Sequence, residues 1–143
     1  MNNEHLTLLS RDGLEIHARY WVPEKPNAII CIVHGIGEHS GRYNEMALYM
    51  CSRGFTVFAN DQRGHGKSGG KRGHSPSYSL LLDDVETLMK WARSQYPDLP
   101  LYLYGHSWGG NIVANFILKR KTKEVSGSIL SSPWLELQMS IAP

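Results

Sequence analysis

A mostly parallel β-sheet covered by helices on both faces, opened by an antiparallel hairpin, is the α/β fold class this sequence predicts. Three observations carry it. Strand-like and helix-like segments alternate from Ala28 onward, the pattern of right-handed crossovers in a doubly wound sheet. Ala28–Val33 is an unbroken apolar, β-rich run and Phe55–Ala59 another buried-type segment, which suits strands buried on both faces. Asp12-Gly13 lies between two short alternating segments, a good hairpin signal.

The hairpin comprises Leu6–Leu9 and Leu14–Val22, and Pro23–Asn27 is a polar connection to the first buried strand. His34-Gly35-Ile36-Gly37 follows as a loop. Tyr43, Met46, Ala47, Met50 and Cys51 then recur at helical spacing, with Gly54 as the stop. Asn60–Gly73 is a long glycine-rich loop, in which Arg63, Lys67, Lys71 and Arg72 are expected at the surface. Leu81, Val85, Leu88, Ala92 and Tyr96 form a helical stripe that stops before Pro97. Leu101–Tyr104 is a strand, Ser107 to about Lys121 a helix, and Val125–Leu130 a last strand leading to Ser131-Ser132-Pro133-Trp134. No repeat or linker divides the chain, so residues 1–143 count as one domain.

The 143 residues suffice for one hydrophobic core. A hydrophobic fraction of 41% and a charged fraction of 20% are those of an ordinary globular domain. A net charge of +2 is too small to argue for nucleic acid or an anionic membrane. Lys119, Arg120, Lys121 and Lys123 are expected as a solvated helix end that complements the helix dipole. Cys31 and Cys51 both fall on apolar faces and form no disulfide framework, so a reducing compartment is expected. Met1–Ser10 lacks the pattern of a signal peptide, and no apolar run approaches the ~20 residues of a membrane span. These readings place the protein in the cytoplasm. No Cys/His cluster has zinc spacing and no segment reads as a nucleotide loop, so no metal or cofactor is expected.

Chemistry concentrates in Gly105-His106-Ser107-Trp108-Gly109-Gly110. Strand, Gly-x-Ser-x-Gly and helix follow one another, which is the setting of a serine held on a sharp bend as a nucleophile. Glycines two residues before and after that serine relieve the crowding of so tight a turn. Ser107 then faces a helix N-terminus, where free N–H groups favour developing negative charge. The N–H of Trp108 is one expected oxyanion donor, because the residue after the nucleophile supplies it. The N–H of Ile36 is the second, since the flanking Gly35 and Gly37 let main chain approach substrate. One such donor is worth about 3 kcal/mol of transition-state stabilisation. His34, Gly35, Gly37 and His106 are expected to line the substrate position, with His34 and His106 ordinarily making the hydrogen bonds that shape their loops.

His34-Gly35-Ile36-Gly37-Glu38-His39-Ser40-Gly41-Arg42-Tyr43 resembles the oxyanion loop of monoacylglycerol lipases and related lysophospholipases of the α/β-hydrolase fold. Asp61-Gln62-Arg63-Gly64-His65-Gly66-Lys67-Ser68-Gly69-Gly70-Lys71-Arg72-Gly73 resembles the loop after that family's next strand, and Gly105–Gly110 resembles its elbow. The likeness runs from about Ala28 to Pro133. It implies a serine ester hydrolase acting on a lipid-like acyl ester through an acyl-enzyme on Ser107, without a cofactor. Trp108 stands where these lipases usually carry Met, a feature shared with proline iminopeptidases.

The resemblance also implies a cap, further strands, a catalytic Asp and a catalytic His beyond the point matching Pro133. The expectation is therefore a truncated α/β-hydrolase domain, the N-terminal part only, with little or no activity of its own. None of the other polar residues has a spacing that forces it toward Ser107. His65 is expected to brace its own turn, Asp61 to bond main chain in its loop, and Asp83 and Asp84 to favour a helix start. His5, His17, His39, His74 and Glu136 have no assigned partner. The strand at 125–130 would be an open edge through which the chain self-associates. Two further readings stand beside the leading one: a proline iminopeptidase-like aminopeptidase, and a non-catalytic pseudo-hydrolase acting by binding or assembly.

Overall fold

The structure, a computed structural model, describes residues 3–136; residues 1–2 and 137–143 of the domain assigned to 1–143 lie outside the described residues. Strands β1 (Asn3–Leu9), β2 (Glu15–Trp21), β3 (Ala28–Val33), β4 (Phe55–Asn60), β5 (Leu101–His106) and β6 (Val125–Ser131) form one sheet in the order β1-β2-β4-β3-β5-β6. β1 and β2 form the expected antiparallel hairpin, and β2 also runs antiparallel to β4. The remaining pairs are parallel, as the crossovers require. β3 is central, and all six of its residues are buried, which accounts for its lack of polar alternation.

Helices cover both faces. α1 (Asn44–Ser52) sits on one, where Ala47 and Cys51 pack with Trp21, Ile30, Ile32, Val57 and Ala59. α2 (Tyr78–Gln95) and α3 (Trp108–Lys119) cover the other, with Val85, Leu88, Ala92, Ile112, Val113 and Phe116 over Ile29, Cys31 and Leu103. Burial pushes the Cys31 thiol up to about 12, so it serves as a small apolar side chain rather than a reactive one.

Three boundaries differ from the sequence expectation. A 3-10 turn at Ser40–Tyr43 precedes α1, since Ser40 is pulled inward by a buried carboxylate instead of following the helical stripe. α2 begins at Tyr78, ahead of its apolar stripe, because the Ser77 side chain caps the Leu80 N–H at 3.3 Å. α3 ends at Lys119, and Arg120 turns back to the buried Asp83 at 2.8 Å rather than ending a fully solvated basic cluster.

The expected surface position of Arg63 is also corrected: its side chain is 2% exposed. It is buried because it is paired. Its guanidinium donates to Asp84 at 2.7 and 2.8 Å, to Asp12 at 2.9 and 3.2 Å, and to Ser10 at 3.1 Å. Asp84 and Asp83 are accordingly buried ion-pair partners in the second turn of α2, not carboxylates placed for its dipole. The cluster fastens the glycine-rich loop to the hairpin turn and to α2. The bond from Asp84, then the bonds from Asp12, hold the guanidinium protonated far beyond any working pH, even against burial.

Candidate active site

Ser107 joins β5 to α3 with φ 53° and ψ −116°, a left-handed conformation that a serine adopts only under constraint. The constraint is visible in the main chain. The Ser107 N–H donates to the Ser131 carbonyl at 3.0 Å, and the Ser107 carbonyl accepts from the N–H groups of Asn111 at 3.1 Å and Trp134 at 3.0 Å. Both flanking glycines are needed. An ideal Cβ on Gly109 would lie 2.0 Å from the Val33 carbonyl oxygen, and one on Gly105 would lie 2.4 Å from the Gly109 carbonyl oxygen. The Ser107 side chain makes no cap to its own helix.

The loop after β3 abuts this bend. A Cβ on Gly35 would stand 3.4 Å from the His106 carbonyl oxygen. The Gly35 N–H donates to Glu38 Oε2 at 2.7 Å, and the Tyr43 hydroxyl donates to the same oxygen at 2.9 Å. Burial pushes the Glu38 carboxyl up, but these bonds and the nearby Arg42 outweigh it and hold the group below its ordinary value. Glu38 thus staples the loop while ionised, and Gly37 at φ 72° turns the main chain just after Ile36. Ile36 is 56% exposed and Trp108 half-buried, and both border one cleft of about 90 Å³ with Gln62, His65 and His74. The two expected donors therefore belong to residues that share a rim.

Asp61 ties the two loops together. Its carboxylate accepts from the Ser40 N–H at 2.7 Å, the Ser40 hydroxyl at 2.6 Å and the Lys67 N–H at 2.8 Å. Burial raises its pKa, yet the three hydrogen bonds win and the carboxyl stays below its usual range. Asp61 is thus structural, as expected, and it reaches beyond its own loop to Ser40.

His34 is fully buried. Its Nδ1–H donates to the Gly35 carbonyl at 2.7 Å, and its Nε2 accepts from the Gln62 N–H at 2.9 Å. Both nitrogens are spent on protein, so His34 supports the loop from behind and offers no polar atom to a substrate. Those partners require the neutral ring, and burial first, then the neighbouring His65, lowers its pKa to about 4 against the pull of Gly35. The unfolded chain binds a proton at a higher pH than the folded one, so stability is full above about pH 6.5 and falls as pH drops toward 4. The loss amounts to about 3 kcal/mol. Chemical unfolding between pH 7 and 4 measures it, and His34→Gln should flatten that slope.

The other histidines have partners of their own or lie away from Ser107 Oγ, although His65 and His74 line the cleft. His106 Nδ1 meets the Ser131 hydroxyl at 3.2 Å, and His65 Nδ1 donates to the Arg63 carbonyl at 3.1 Å, bracing its own turn. His5 and His17 pair with each other on the hairpin. Glu136 is exposed past β6. Among the described residues, no imidazole makes a hydrogen bond to the Ser107 hydroxyl. The sequence reading gave no role to Glu38, nor to the group around Trp108. Tyr78 and Trp134 lie edge-on to Trp108 at 5.9 and 5.8 Å, and Asn111 links them by accepting from the Tyr78 hydroxyl at 2.5 Å and donating to the Trp134 carbonyl at 2.9 Å. Tyr78 and Trp134 flank the motifs, so only the fold brings them to Trp108.

Known proteins resemble this chain in sequence and in fold. The family described as Serine aminopeptidase, S33 (Hydrolase_4) matches residues 24–143. The chain is 37% identical over 132 residues to the monoacylglycerol lipase of Mycolicibacterium smegmatis, covering 92% of this chain and 47% of that protein. It is 39% identical over 127 residues to the monoglyceride lipase of Mus musculus, covering 88% of this chain and 42% of that protein. The crystal structure of a soluble variant of the Saccharomyces cerevisiae monoglyceride lipase superposes with a TM-score of 0.83 at 27% identity, covering 93% of this chain and 45% of that one. The chain thus spans less than half the length of each of these relatives. With its sheet order, its strand–serine–helix bend and this likeness together, the chain belongs to the Serine aminopeptidase, S33 family of serine hydrolases and has the α/β-hydrolase fold.

Proposed function

We propose that this chain carries the nucleophile and the oxyanion site of a carboxylic ester hydrolase that takes lipid-like acyl esters of the monoacylglycerol and lysophospholipid kind. Ser107 Oγ attacks the acyl carbonyl, and the N–H groups of Ile36 and Trp108 hold the oxyanion. The hydroxyl proton passes to a base and then to the leaving alcohol; water next releases the fatty acid and restores the serine. That base and the acid that orients it come from outside the described residues. The observation that best supports this reading is the left-handed Ser107 between β5 and α3, beside the loop that carries Ile36. The lipase names of the two curated relatives favour an ester over a peptide bond, while the family's description keeps an aminopeptidase as the second reading.

The isolated 143-residue chain should label with a fluorophosphonate slowly or not at all, because a serine without its base is a poor nucleophile. Stoichiometric labelling of Ser107 would overturn that expectation. Joined to the segment of the mouse relative that the match leaves uncovered, the chain should hydrolyse p-nitrophenyl acyl esters in preference to prolyl p-nitroanilide. Ser107→Ala should reduce that rate by at least about 10⁴-fold. A preference for the prolyl amide would select the aminopeptidase instead.

The proposal extends to assembly and location. Among the described residues β6 pairs only with β5; it bears no charge along Val125–Ser131 and leaves Ile129 and Leu130 exposed, so the isolated chain self-associates along it. Two free, buried cysteines suit a reducing cytoplasm.

A further inference from the structure

His5 on β1 and His17 on β2 are twelve residues apart in sequence and match no metal-binding spacing. The hairpin register nevertheless brings them together. Asn3–Leu9 pairs with Glu15–Trp21 so that His5 faces Arg19 and Thr7 faces His17, which puts both imidazoles on one side of the sheet. His5 Nδ1 and His17 Nε2 stand 3.2 Å apart, and the ring centres are 5.2 Å apart. We propose that this pair is a two-histidine chelate for a tetrahedral divalent transition metal, zinc above all, completed by water.

The distances favour that geometry. An ion held tetrahedrally at about 2.05 Å from each nitrogen puts the nitrogens about 3.3 Å apart and the ring centres about 5.2 Å apart. A square-planar pair would draw them in to about 2.9 and 4.5 Å. An in-line hydrogen bond at the observed separation would push the ring centres out to about 5.5 Å. The two rings are therefore out of line with each other, and little movement is needed to admit an ion between the facing nitrogens.

Burial, then Arg19 at His5, lowers the pKa of each ring, while the buried Asp61 pulls the other way. One facing nitrogen carries a proton in the apo pair; on binding, that ring shifts its proton to its far nitrogen, and no net proton is lost. Arg19 and Lys67 repel a cation and Asp61 attracts one, which makes the site one of modest affinity. His17 also anchors the glycine-rich loop, since its N–H donates to Ser68 at 2.9 Å and its carbonyl accepts from the Asp61 N–H at 2.8 Å. A bound ion would fasten β1 to that anchor.

The test is a zinc chloride titration of the purified chain, followed by calorimetry and by the imidazole carbon-bound proton resonances. The expected result is one ion per chain, with the His5 and His17 signals moving together and those of His39 and His74 unmoved. His5→Gln and His17→Gln should each weaken binding at least tenfold, and His74→Gln should not change it. Signals of His5 and His17 that stay fixed at saturating zinc would overturn the proposal, as would a double variant H5Q/H17Q that binds like the parent. Should His17→Gln perturb the hairpin, the resonances of the unaltered chain and the His5→Gln variant on the exposed edge strand decide the matter.

Discussion

Gly109→Ala is expected to destabilise the chain severely. The added methyl would meet the Val33 carbonyl oxygen at 2.0 Å and the His34 carbonyl oxygen at 2.5 Å, well inside any real contact. Neither atom can retreat. Val33 ends the central strand, and the His34 carbonyl accepts from the Gln62 side chain. Relief would require α3 to lift from β3, which would uncover Ile112, Val113 and Phe116. Overpacking a rigid site ordinarily costs about 1–3 kcal/mol, and a main-chain obstacle on both sides puts this one at or above the upper end. Against a typical stability of about 5–15 kcal/mol, the cooperative unfolding transition should move sharply or vanish. Urea unfolding followed by circular dichroism measures it. A variant as stable as the parent would mean that the serine bend packs more loosely on β3 than these contacts allow.

Asp84→Ala should destabilise the protein by about 3–5 kcal/mol, because it leaves the buried Arg63 guanidinium with only part of its compensation. Asp12 remains as a partner, but its side chain is 36% exposed and holds the far edge of the fork, so it cannot replace a buried bidentate carboxylate. The reciprocal variant Arg63→Met strands Asp84 with the Ser10 hydroxyl at 2.5 Å and should cost a similar amount. Removing both charges together is predicted to be milder than either single change, since apolar replacement of a whole buried pair is often close to neutral. A double-mutant cycle on unfolding free energies reads the coupling directly. Additive single losses would show that the two side chains do not act as one unit. The effect should also reach the cleft, where Arg63 and His65 both line the wall beside Trp108.

Segments whose signal is local were legible in the sequence. β3 stands out as an unbroken apolar run and β4 as a mostly apolar one, and the serine bend announces itself by two glycines between a strand and a helix. The family followed from three motifs that keep their order along the chain. The misread charged side chains share one cause, which is partnership across long stretches of sequence. Arg63 looks like a loop cation until Asp12 and Asp84 are seen to surround it. Asp83 resembles a helix-start carboxylate until Arg120 reaches it from the far end of α3. His34 was expected to shape its loop by hydrogen bonds beside the substrate position, but that Gln62 is the partner of its Nε2 is visible only in the fold. Charge and hydrogen-bonding capacity say that such a group needs a partner; only the fold says which one.

The strand order carries a consequence for biosynthesis. β3 has β4 on one side, soon after it in the chain, but its other neighbour is β5, with Ile29 beside Leu101. At ~5–20 residues per second, a ribosome takes on the order of ten seconds to deliver that neighbour after β3 emerges. Throughout that interval an apolar strand with an open hydrogen-bonding flank is available to chaperones or to other nascent chains. Slowing translation between β4 and β5 should therefore lower the soluble yield more than slowing it after β6.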